Sequence, residues 1–310
     1  MSSRFFSNCS RYTLLIIAII LSPSVWADKA YSNIFIFGDS LSDTGNIASI
    51  QGDLPTPPFF NNRVSNGLVA IDYVAASLNL NATASGYLIG PAVGGNYAVA
   101  GARAAGVRAI DLPAQIGAFM ANHNGIAPVD ALYVVFIGGN DVFDASKISD
   151  VAMANLSIDN GVISEGQQIQ ALINAGAEYL FVVNVVDISV TPLTTLAAAA
   201  TQNPMLVKHT KKLTNRYNKK LKKTLKALNH ANKIELVRFD LHEAFKNLLN
   251  DAKDAGFTNT TDACFSSITL SFNEGCNFGA NFDQYIFFDE IHPSARTHKI
   301  IGNLMAGEVE

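Results

Sequence analysis

The sequence is poor in charged residues, and this shortage argues against two classes of protein. Only 15% of the 310 residues are charged and 49% are hydrophobic, which is too apolar for an intrinsically disordered chain. The formal net charge of −4 argues against the basic surface that nucleic-acid binding requires, so no nucleic-acid partner is expected. Internal repeats and low-complexity linkers are also missing. We expect one α/β domain with a large core over residues 28–310.

Long hydrophobic runs are missing after Ala27, and the run before it is short. Residues 13–21 are apolar and follow two arginines, and Val25-Trp26-Ala27 is a plausible site for a signal peptidase. A membrane-spanning helix needs about 20 apolar residues, so we prefer a cleaved signal peptide over residues 1–27 to a membrane anchor. The mature protein is then expected to be secreted, to the periplasm or the extracellular space.

Cysteine is nearly absent. Cys9 lies in the predicted signal peptide, which leaves Cys264 and Cys276 in the mature chain. In an oxidising compartment such a pair favours a disulfide, and the polar residues between them predict a loop; two unrelated buried thiols are the alternative. No second Cys/His pair lies nearby at ligand spacing, so no metal site is expected.

The sequence does contain continuous β-branched and aromatic runs separated by helical patterns. Such runs are typical of parallel strands covered on both faces, and the alternation predicts a three-layer α/β/α sandwich with a mostly parallel central sheet. The predicted strands are Asn33–Phe37, Ala131–Ile137, Tyr179–Val186 and Ile234–Phe239. The predicted helices are Gly67–Leu78, Leu112–Met120, Ser164–Ala175, Met205–Leu228, Asp240–Leu249 and Ser294–Met305.

A serine follows the first predicted strand, and an Asp-x-x-His motif lies near the C-terminus. A serine hydroxyl is a weak nucleophile that needs a base, and the base needs a group that orients it. Ser40, His292 and Asp289 can fill these roles. Among the histidines of the mature chain, only His292 has a carboxylate three residues before it and a strand-like run leading into it. His242 and His298 are expected to be surface or core residues.

Acyl transfer also requires hydrogen-bond donors for the developing oxyanion. Asn140 follows the second predicted strand, a glycine of the run Gly94–Ala102 can offer a backbone N–H, and the Ser40 N–H can be a third donor. The glycine-rich run has a phosphate-binding loop as its alternative, but it lacks both common phosphate-loop spacings, and no cofactor is expected. Asp39 and Asp141 flank these residues, and we expect them to accept hydrogen bonds from backbone amides and fix the loops.

These motifs resemble the sequence blocks of the GDSL (SGNH) family of esterases and lipases. The resemblance runs from Asn33 to about Met305 and implies a flavodoxin-like SGNH hydrolase domain. It implies Ser40, Asp289 and His292 as catalytic residues, with Ser40, Gly101 and Asn140 forming the oxyanion hole. Ala100 departs from the pattern, because relatives often have a second glycine there. The matching blocks are Phe37–Asn46, Asn96–Ala102, Gly138–Asp141 and Asp289–Ser294.

Within that family the sequence most resembles the secreted Gram-negative branch of lysophospholipases A and glycerophospholipid:cholesterol acyltransferases. The His-Pro-Ser-Ala-x-x-His run at 292–298 fits that branch. The resemblance implies release of fatty acid from lysophospholipids or phospholipids through an acyl-serine intermediate, with acyl transfer as a further activity. A carboxylesterase acting on other acyl, carbohydrate or thioester substrates would use the same residues. Some members carry a disulfide loop whose proteolysis raises activity, so residues 264–276 imply an activating protease; a structural staple is the alternative.

Two other segments have alternative interpretations. The predicted helix Met205–Leu228 carries many lysines on one side, with Tyr217 and several leucines on the other. A basic amphipathic helix can lie on an anionic membrane, but packing on the sheet through the leucine stripe is the favoured interpretation. Residues 47–66 are broken by proline and glycine and predict a loop, which either lines a substrate groove or is an ordinary surface loop.

Overall fold

A computed structural model describes residues 30–310, except for the side chains at positions 277 and 278. The predicted signal peptide and Cys9 lie outside the described residues. The strands are β1 Ile34–Gly38, β2 Leu132–Phe136, β3 Tyr179–Val183, β4 Glu235–Phe239, β5 Asn259–Ala263, β6 Phe265–Ser266, β7 Ser271–Phe272 and β8 Tyr285–Phe287. The α-helices are α1 Ala48–Gln51, α2 Ala70–Ser77, α3 Leu112–Asn122, α4 Gly139–Ser146, α5 Val151–Asn174, α6 Pro192–Ala200, α7 Met205–Asn232, α8 Leu241–Asn250 and α9 Ala295–Ala306.

The centre of the domain is a parallel sheet with the strand order β1-β2-β3-β4. Every residue of β1 and β2 is buried, as continuous apolar strands covered on both faces require. β4 is an edge strand, and only Phe239 in it is fully buried. Since parallel strands end at the same edge of a sheet, the residues that follow β1 and β2 are brought side by side.

Helices cover both faces of this sheet, which confirms the predicted three-layer α/β/α sandwich. One apolar core joins the sheet to α3, α4, α5 and α7. The other joins it to α2, α8 and α9. In α7 the side chains of Leu213, Tyr217 and Leu221 are buried against the sheet, whereas most of its lysines are exposed. The helix therefore packs through its leucine stripe.

The glycine-rich segment runs beside the free edge of β1 as an irregular neighbouring strand. The Ile36 N–H donates to the Gly95 carbonyl at 3.0 Å, and the Val99 N–H donates to the Gly38 carbonyl at 3.1 Å. A side chain at Gly95 would collide with the backbone of β1, so glycine permits this close approach. The segment ends near the C-terminal end of β1. This path brings Gly101 toward the loop after β1, which holds Ser40.

Helix boundaries differ from the sequence prediction where local capping decides them. α5 begins at Val151 rather than Ser164, because the Asp150 side chain accepts a hydrogen bond from the Met153 N–H and caps the helix. Val151 and Met153 are exposed, so the first turns of the helix lack a clean amphipathic pattern. α1, α4 and α6 were not predicted, and α1 lies within the segment 47–66 that was expected to be a loop. α4 begins in a Gly-Gly-Asn-Asp run that has the composition of a turn.

The cysteine loop is a small hairpin closed by a disulfide between Cys264 and Cys276. β6 and β7 pair antiparallel inside it, and the Phe265 ring stacks on Phe288 at 5.8 Å between centroids. The hairpin therefore rests on the segment that leads into the Asp-x-x-His motif. Within residues 30–310, no helix has both the length and the apolar character needed to cross a bilayer.

Candidate active site

The structure brings Ser40, His292 and Asp289 into one hydrogen-bonded chain. His292 Nε2 lies 2.8 Å from the Ser40 hydroxyl oxygen, although the two residues are 252 positions apart. His292 Nδ1 lies 2.8 Å from each carboxylate oxygen of Asp289. With the proton of the neutral ring on Nδ1, His292 donates to Asp289 and accepts the hydroxyl proton of Ser40. This is the arrangement that a serine nucleophile and its general base require.

The Asp-x-x-His turn is fixed by its own carboxylates. Asp289 Oδ1 also accepts backbone N–H groups from Ile291 and His292, at 2.9 and 2.7 Å. The buried Glu290 side chain points the other way and accepts hydroxyl hydrogen bonds from Ser266 and Ser267, at 2.6 and 2.7 Å. The cysteine hairpin thus supports the triad from outside.

The local charges keep this triad poised for proton transfer. Burial opposes the charged form of His292, but Asp289, and then Asp39 and Glu290, outweigh it and raise the pKa of His292. Burial also opposes the charged form of Asp289, yet the charge and hydrogen bonds of His292 lower the pKa of Asp289 overall. Burial raises the pKa of Asp39 to about 7, with partial relief from the Leu41 N–H and His292. The ring is therefore a stronger base than a free imidazole.

Each of the three predicted oxyanion donors has a hydrogen available for a ligand. Neither the Ser40 N–H nor the Gly101 N–H donates to an acceptor among the described residues. Gly101 has φ +81°, a conformation that favours glycine. One amide hydrogen of Asn140 is donated to the Ala102 carbonyl at 2.8 Å, which orients the side chain and leaves its second hydrogen for a ligand.

The aspartates that flank the site hold loops, as the sequence predicted. Asp39 Oδ1 accepts the Leu41 N–H at 3.1 Å. The Asp141 carboxylate accepts the N–H groups of Ala104 and Ala105, at 2.8 and 3.1 Å. These bonds tie α4 to the segment that follows Gly101.

A narrow cavity of about 60 Å³ opens beside Ser40. Its walls are mainly apolar side chains from the ends of the strands and from α8 and α9, among them Phe136, Leu241, Phe245 and Ile301. No described residue of the segment 47–66 or of the cysteine loop lines it. The cavity therefore offers an apolar volume next to the nucleophile, and the loop 47–66 does not form its wall.

Sequence reasoning left His298 as a surface or core residue and missed its place at this cavity. His298 is buried and accepts the Ala70 N–H at Nδ1, so its proton is on Nε2, which has no hydrogen-bond partner among the described residues. Burial lowers the pKa of His298 to about 3, and the ring is neutral. Gln115 was also missed; its amide bonds both the N–H and the carbonyl of Gly38, at 2.9 and 2.7 Å. The His-x-x-x-x-x-His spacing was the available signal for His298, and nothing in the sequence marked Gln115.

Comparison with known proteins gives a family match over most of the chain. The sequence model of the family described as GDSL-like Lipase/Acylhydrolase matches residues 34–305. The chain is 33% identical over 168 residues to Lipase 1 of Photorhabdus luminescens, a match that covers 53% of this chain and 23% of Lipase 1. It is 26% identical over 318 residues to a GDSL esterase/lipase of Arabidopsis thaliana, with 87% of each protein covered. The chain thus spans about a quarter of Lipase 1 and most of the plant protein.

Among solved structures, an acetylxylan esterase from Geobacillus stearothermophilus aligns over 91% of this chain and 96% of its own. The sequence identity is 14% and the TM-score is 0.49. At that distance the similarity says nothing about the substrate.

Proposed function

This chain belongs to the family of GDSL-like lipases and acylhydrolases, and on that premise we propose that it is a secreted serine esterase that releases fatty acids from lysophospholipids and phospholipids. The observation that carries the proposal is the 2.8 Å contact between His292 Nε2 and Ser40 Oγ, beside an apolar cavity. The secreted Gram-negative lysophospholipases and acyltransferases are the branch that its motifs resemble.

The proposed reaction begins when the Ser40 hydroxyl attacks the ester carbonyl. His292 takes the hydroxyl proton and returns it to the leaving alcohol, while Asp289 holds the imidazole in the required tautomer. The N–H groups of Ser40 and Gly101 and the free amide hydrogen of Asn140 stabilise the oxyanion. Water, activated by His292, then hydrolyses the acyl-serine. A second alcohol in place of water would give acyl transfer.

The apolar cavity supports an acyl ester as the substrate. One water-sized group needs roughly 10–15 Å³, so 60 Å³ admits about four to six such groups. The cavity can therefore take the first carbons of an acyl chain, and the remainder of a long chain must lie elsewhere. The similarity to Lipase 1 also supports a lipid ester.

The small cavity also favours a second candidate. A carboxylesterase that acts on short acyl, carbohydrate or thioester substrates needs no more volume than this. The triad and the oxyanion donors would be the same, so only the substrate distinguishes the two candidates.

The deciding experiment measures fatty-acid release from lysophosphatidylcholine and from diacyl phosphatidylcholine, using the mature protein and its Ser40→Ala variant. We expect release from the lyso form that vanishes in the variant. If neither lipid is cleaved while a fluorophosphonate still labels Ser40, the result supports a serine hydrolase and contradicts the lipid substrate. Activity that survives in Ser40→Ala would rule out Ser40 as the nucleophile.

An activating protease that cuts the cysteine loop is part of the same proposal. The tip of the hairpin is exposed, with Ile268 and Leu270 at 68% and 74%. Cleavage there would leave the two ends joined by the disulfide and would loosen the Ser266 and Ser267 contacts to Glu290. Limited proteolysis followed by an assay on lysophosphatidylcholine tests this step. Equal activity of nicked and intact protein would leave the loop as a structural staple.

Secretion remains a proposal that the N-terminal sequence supports. The disulfide between Cys264 and Cys276 is suited to an oxidising compartment. N-terminal sequencing of protein secreted by the producing cells should begin at Asp28. Retention of residues 1–27, or recovery only from the cytoplasm, would contradict it.

A further inference from the structure

A second and larger cavity, of about 640 Å³, adjoins the active site. It lies among α4, the start of α5, the end of α6 and the start of α7. The Phe143 side chain lines both cavities. Phe143 follows the oxyanion residue Asn140 by three positions in α4, or about 4.5 Å along the helix axis. The two cavities therefore meet at the Phe143 side chain.

The charged side chains that line the second cavity are all basic. Lys147, Lys208 and Lys212 line it together with His209, and no carboxylate does. Lys147 is paired with Asp144 at 2.9 Å, but Lys208 and Lys212 form no ion pair with any described residue. In a chain whose net charge is −4, this leaves two uncompensated cations on one wall.

Two further observations point to an anion. The cavity lies at the N-terminus of the 28-residue α7, whose first turn holds no acidic residue, so the positive end of the helix dipole is not offset there. His209 Nε2 is shielded from solvent and has no hydrogen-bond partner among the described residues. Of the hydroxyl groups that line the cavity, those of Ser146, Thr194 and Thr201 are donated to backbone carbonyls, whereas the Ser149 hydroxyl has no acceptor among the described residues.

We propose that this second cavity binds the phosphate of the substrate's headgroup while Ser40 attacks the acyl ester. Lys208 and Lys212 supply the charge, and the Ser149 hydroxyl and the unpartnered ring nitrogen of His209 supply directional hydrogen bonds. The inference rests on the proposed function, since it makes a phosphate-bearing acyl ester the preferred substrate over a plain carboxylic ester.

The test compares two double variants on one helix. In Lys208→Ala/Lys212→Ala both uncompensated lysines of the cavity are removed. In Lys222→Ala/Lys223→Ala two exposed lysines of α7 that lie outside the cavity are removed, with the same change in net charge. The substrates are a short-chain lysophosphatidylcholine kept monomeric, and p-nitrophenyl butyrate, which has no phosphate.

We expect the cavity variant to lose about tenfold in kcat/KM on the lysolipid, mostly through KM, and far less on p-nitrophenyl butyrate. The control variant should match the wild type on both. Equal losses on both substrates, or no loss in the cavity variant, would overturn the site. A loss that occurs only with anionic vesicles and is shared by both variants would overturn it in favour of a charged membrane-facing helix.

A separate measurement distinguishes failure of the proposed lysophospholipid substrate from failure of the proposed phosphate site. Glycerol 3-phosphate is titrated as a competitor of p-nitrophenyl butyrate hydrolysis and as a ligand followed by calorimetry. If the wild type cleaves no lysolipid, the proposed substrate fails, but glycerol 3-phosphate binding that weakens about tenfold in Lys208→Ala/Lys212→Ala still supports the phosphate site. Absence of binding to the wild type would overturn it.

Discussion

The Asp43 carboxylate accepts a 2.8 Å hydrogen bond from the Ala100 N–H and so joins the loop after the nucleophile to the segment that carries Gly101. The same carboxylate accepts N–H groups from Gly45, Asn46 and Ile47, at 2.7 to 3.0 Å. One buried side chain therefore fixes two loops that are adjacent only in the fold. An alanine at position 100 is accommodated, since its contribution is a backbone N–H.

Replacing Asp43 by alanine should lower both stability and kcat. Four backbone donors lose their acceptor, and each buried unsatisfied donor costs about 1–3 kcal/mol, although relaxation and water reduce the sum. We expect a loss of several kcal/mol in the free energy of unfolding and a fall in kcat, because Gly101 is no longer held. Thermal denaturation and steady-state kinetics measure the two effects. Asp53→Ala, an exposed aspartate nearby, is the control, and equal behaviour of the two variants would contradict the anchoring role.

Ser40 and His292 should behave as one unit. Either alanine variant should lose a factor of about 10⁴ or more in kcat, and the double variant should lose little beyond the worse single one, because without Ser40 there is no hydroxyl for His292 to deprotonate. Circular dichroism should show that all three variants fold. A double variant whose loss equals the product of the single losses would mean that the two residues act independently, and the hydrogen bond between them would then have no catalytic meaning.

Asn140→Ala should lower kcat by about 10²–10³ with little change in KM. In the proposed oxyanion hole the amide would contact the reacting oxygen most strongly when it becomes an oxyanion, so its removal should raise the barrier rather than weaken substrate binding. Burst kinetics with a p-nitrophenyl ester would show slower acylation. If the variant turned over normally, Asn140 would serve only as the partner of the Ala102 carbonyl.

Much of the fold could be predicted from the sequence, because the pattern of apolar residues reflects which segments are buried. The runs that became β1 to β3 are continuous and apolar, and burial on both faces explains them, whereas β4 lies at the edge of the sheet and is only partly buried. α4 escaped prediction because Gly139 and Asn140 are poor helix formers, and tertiary contacts override that preference. Gly138, with φ +111°, packs against Tyr217 of α7 just before α4 begins.

The site was predictable where chemistry requires a particular residue type, and not where packing alone gives a residue its role. Ser40, His292 and Asp289 stand out by motif and by their position after strand-like runs. Gln115 carries no such mark, and the spacing of His298 from His292 does not reveal what His298 contacts. Their importance lies in what surrounds them: an apolar cavity for His298, and the backbone of Gly38 for Gln115. Such roles depend on contacts between distant parts of the chain.

The acid limb of the pH profile should move to lower pH in Asp39→Asn. Catalysis needs neutral His292, whose pKa is raised above its usual 6.5, so activity is lost as the pH falls through that raised value. Asp39 contributes to the raised pKa through its negative charge, after the larger effect of Asp289, but burial raises the pKa of Asp39 itself to about 7, so it is partly protonated along this limb and the shift is small. Asparagine keeps the acceptor for the Leu41 N–H and removes the charge. The measurement is kcat/KM against pH, and an unchanged or upward-shifted limb would contradict the coupling.

Phe245→Ala should shift the preferred acyl chain toward longer esters. Phe245 is buried, lines the cavity beside Ser40 and packs 6.0 Å from Phe287 between ring centroids, so its removal extends the volume available to the chain. Leu248→Ala is the matched control, because Leu248 lies on the same helix and in the same core but does not line the cavity. Both variants should lose a few kcal/mol of stability from the cavity each creates.

The readout is the ratio of kcat/KM for p-nitrophenyl esters of increasing chain length. The ratio of kcat/KM for long esters to that for short esters should rise in Phe245→Ala and stay at the wild-type value in Leu248→Ala. Loss of stability alone lowers kcat/KM for all esters equally. Should Phe245→Ala fail to fold, Phe245→Leu makes a smaller enlargement and predicts a smaller shift in the same direction. An unchanged ratio in a folded variant would mean that the acyl chain lies outside this cavity, because a chain inside it must contact the side chain at position 245.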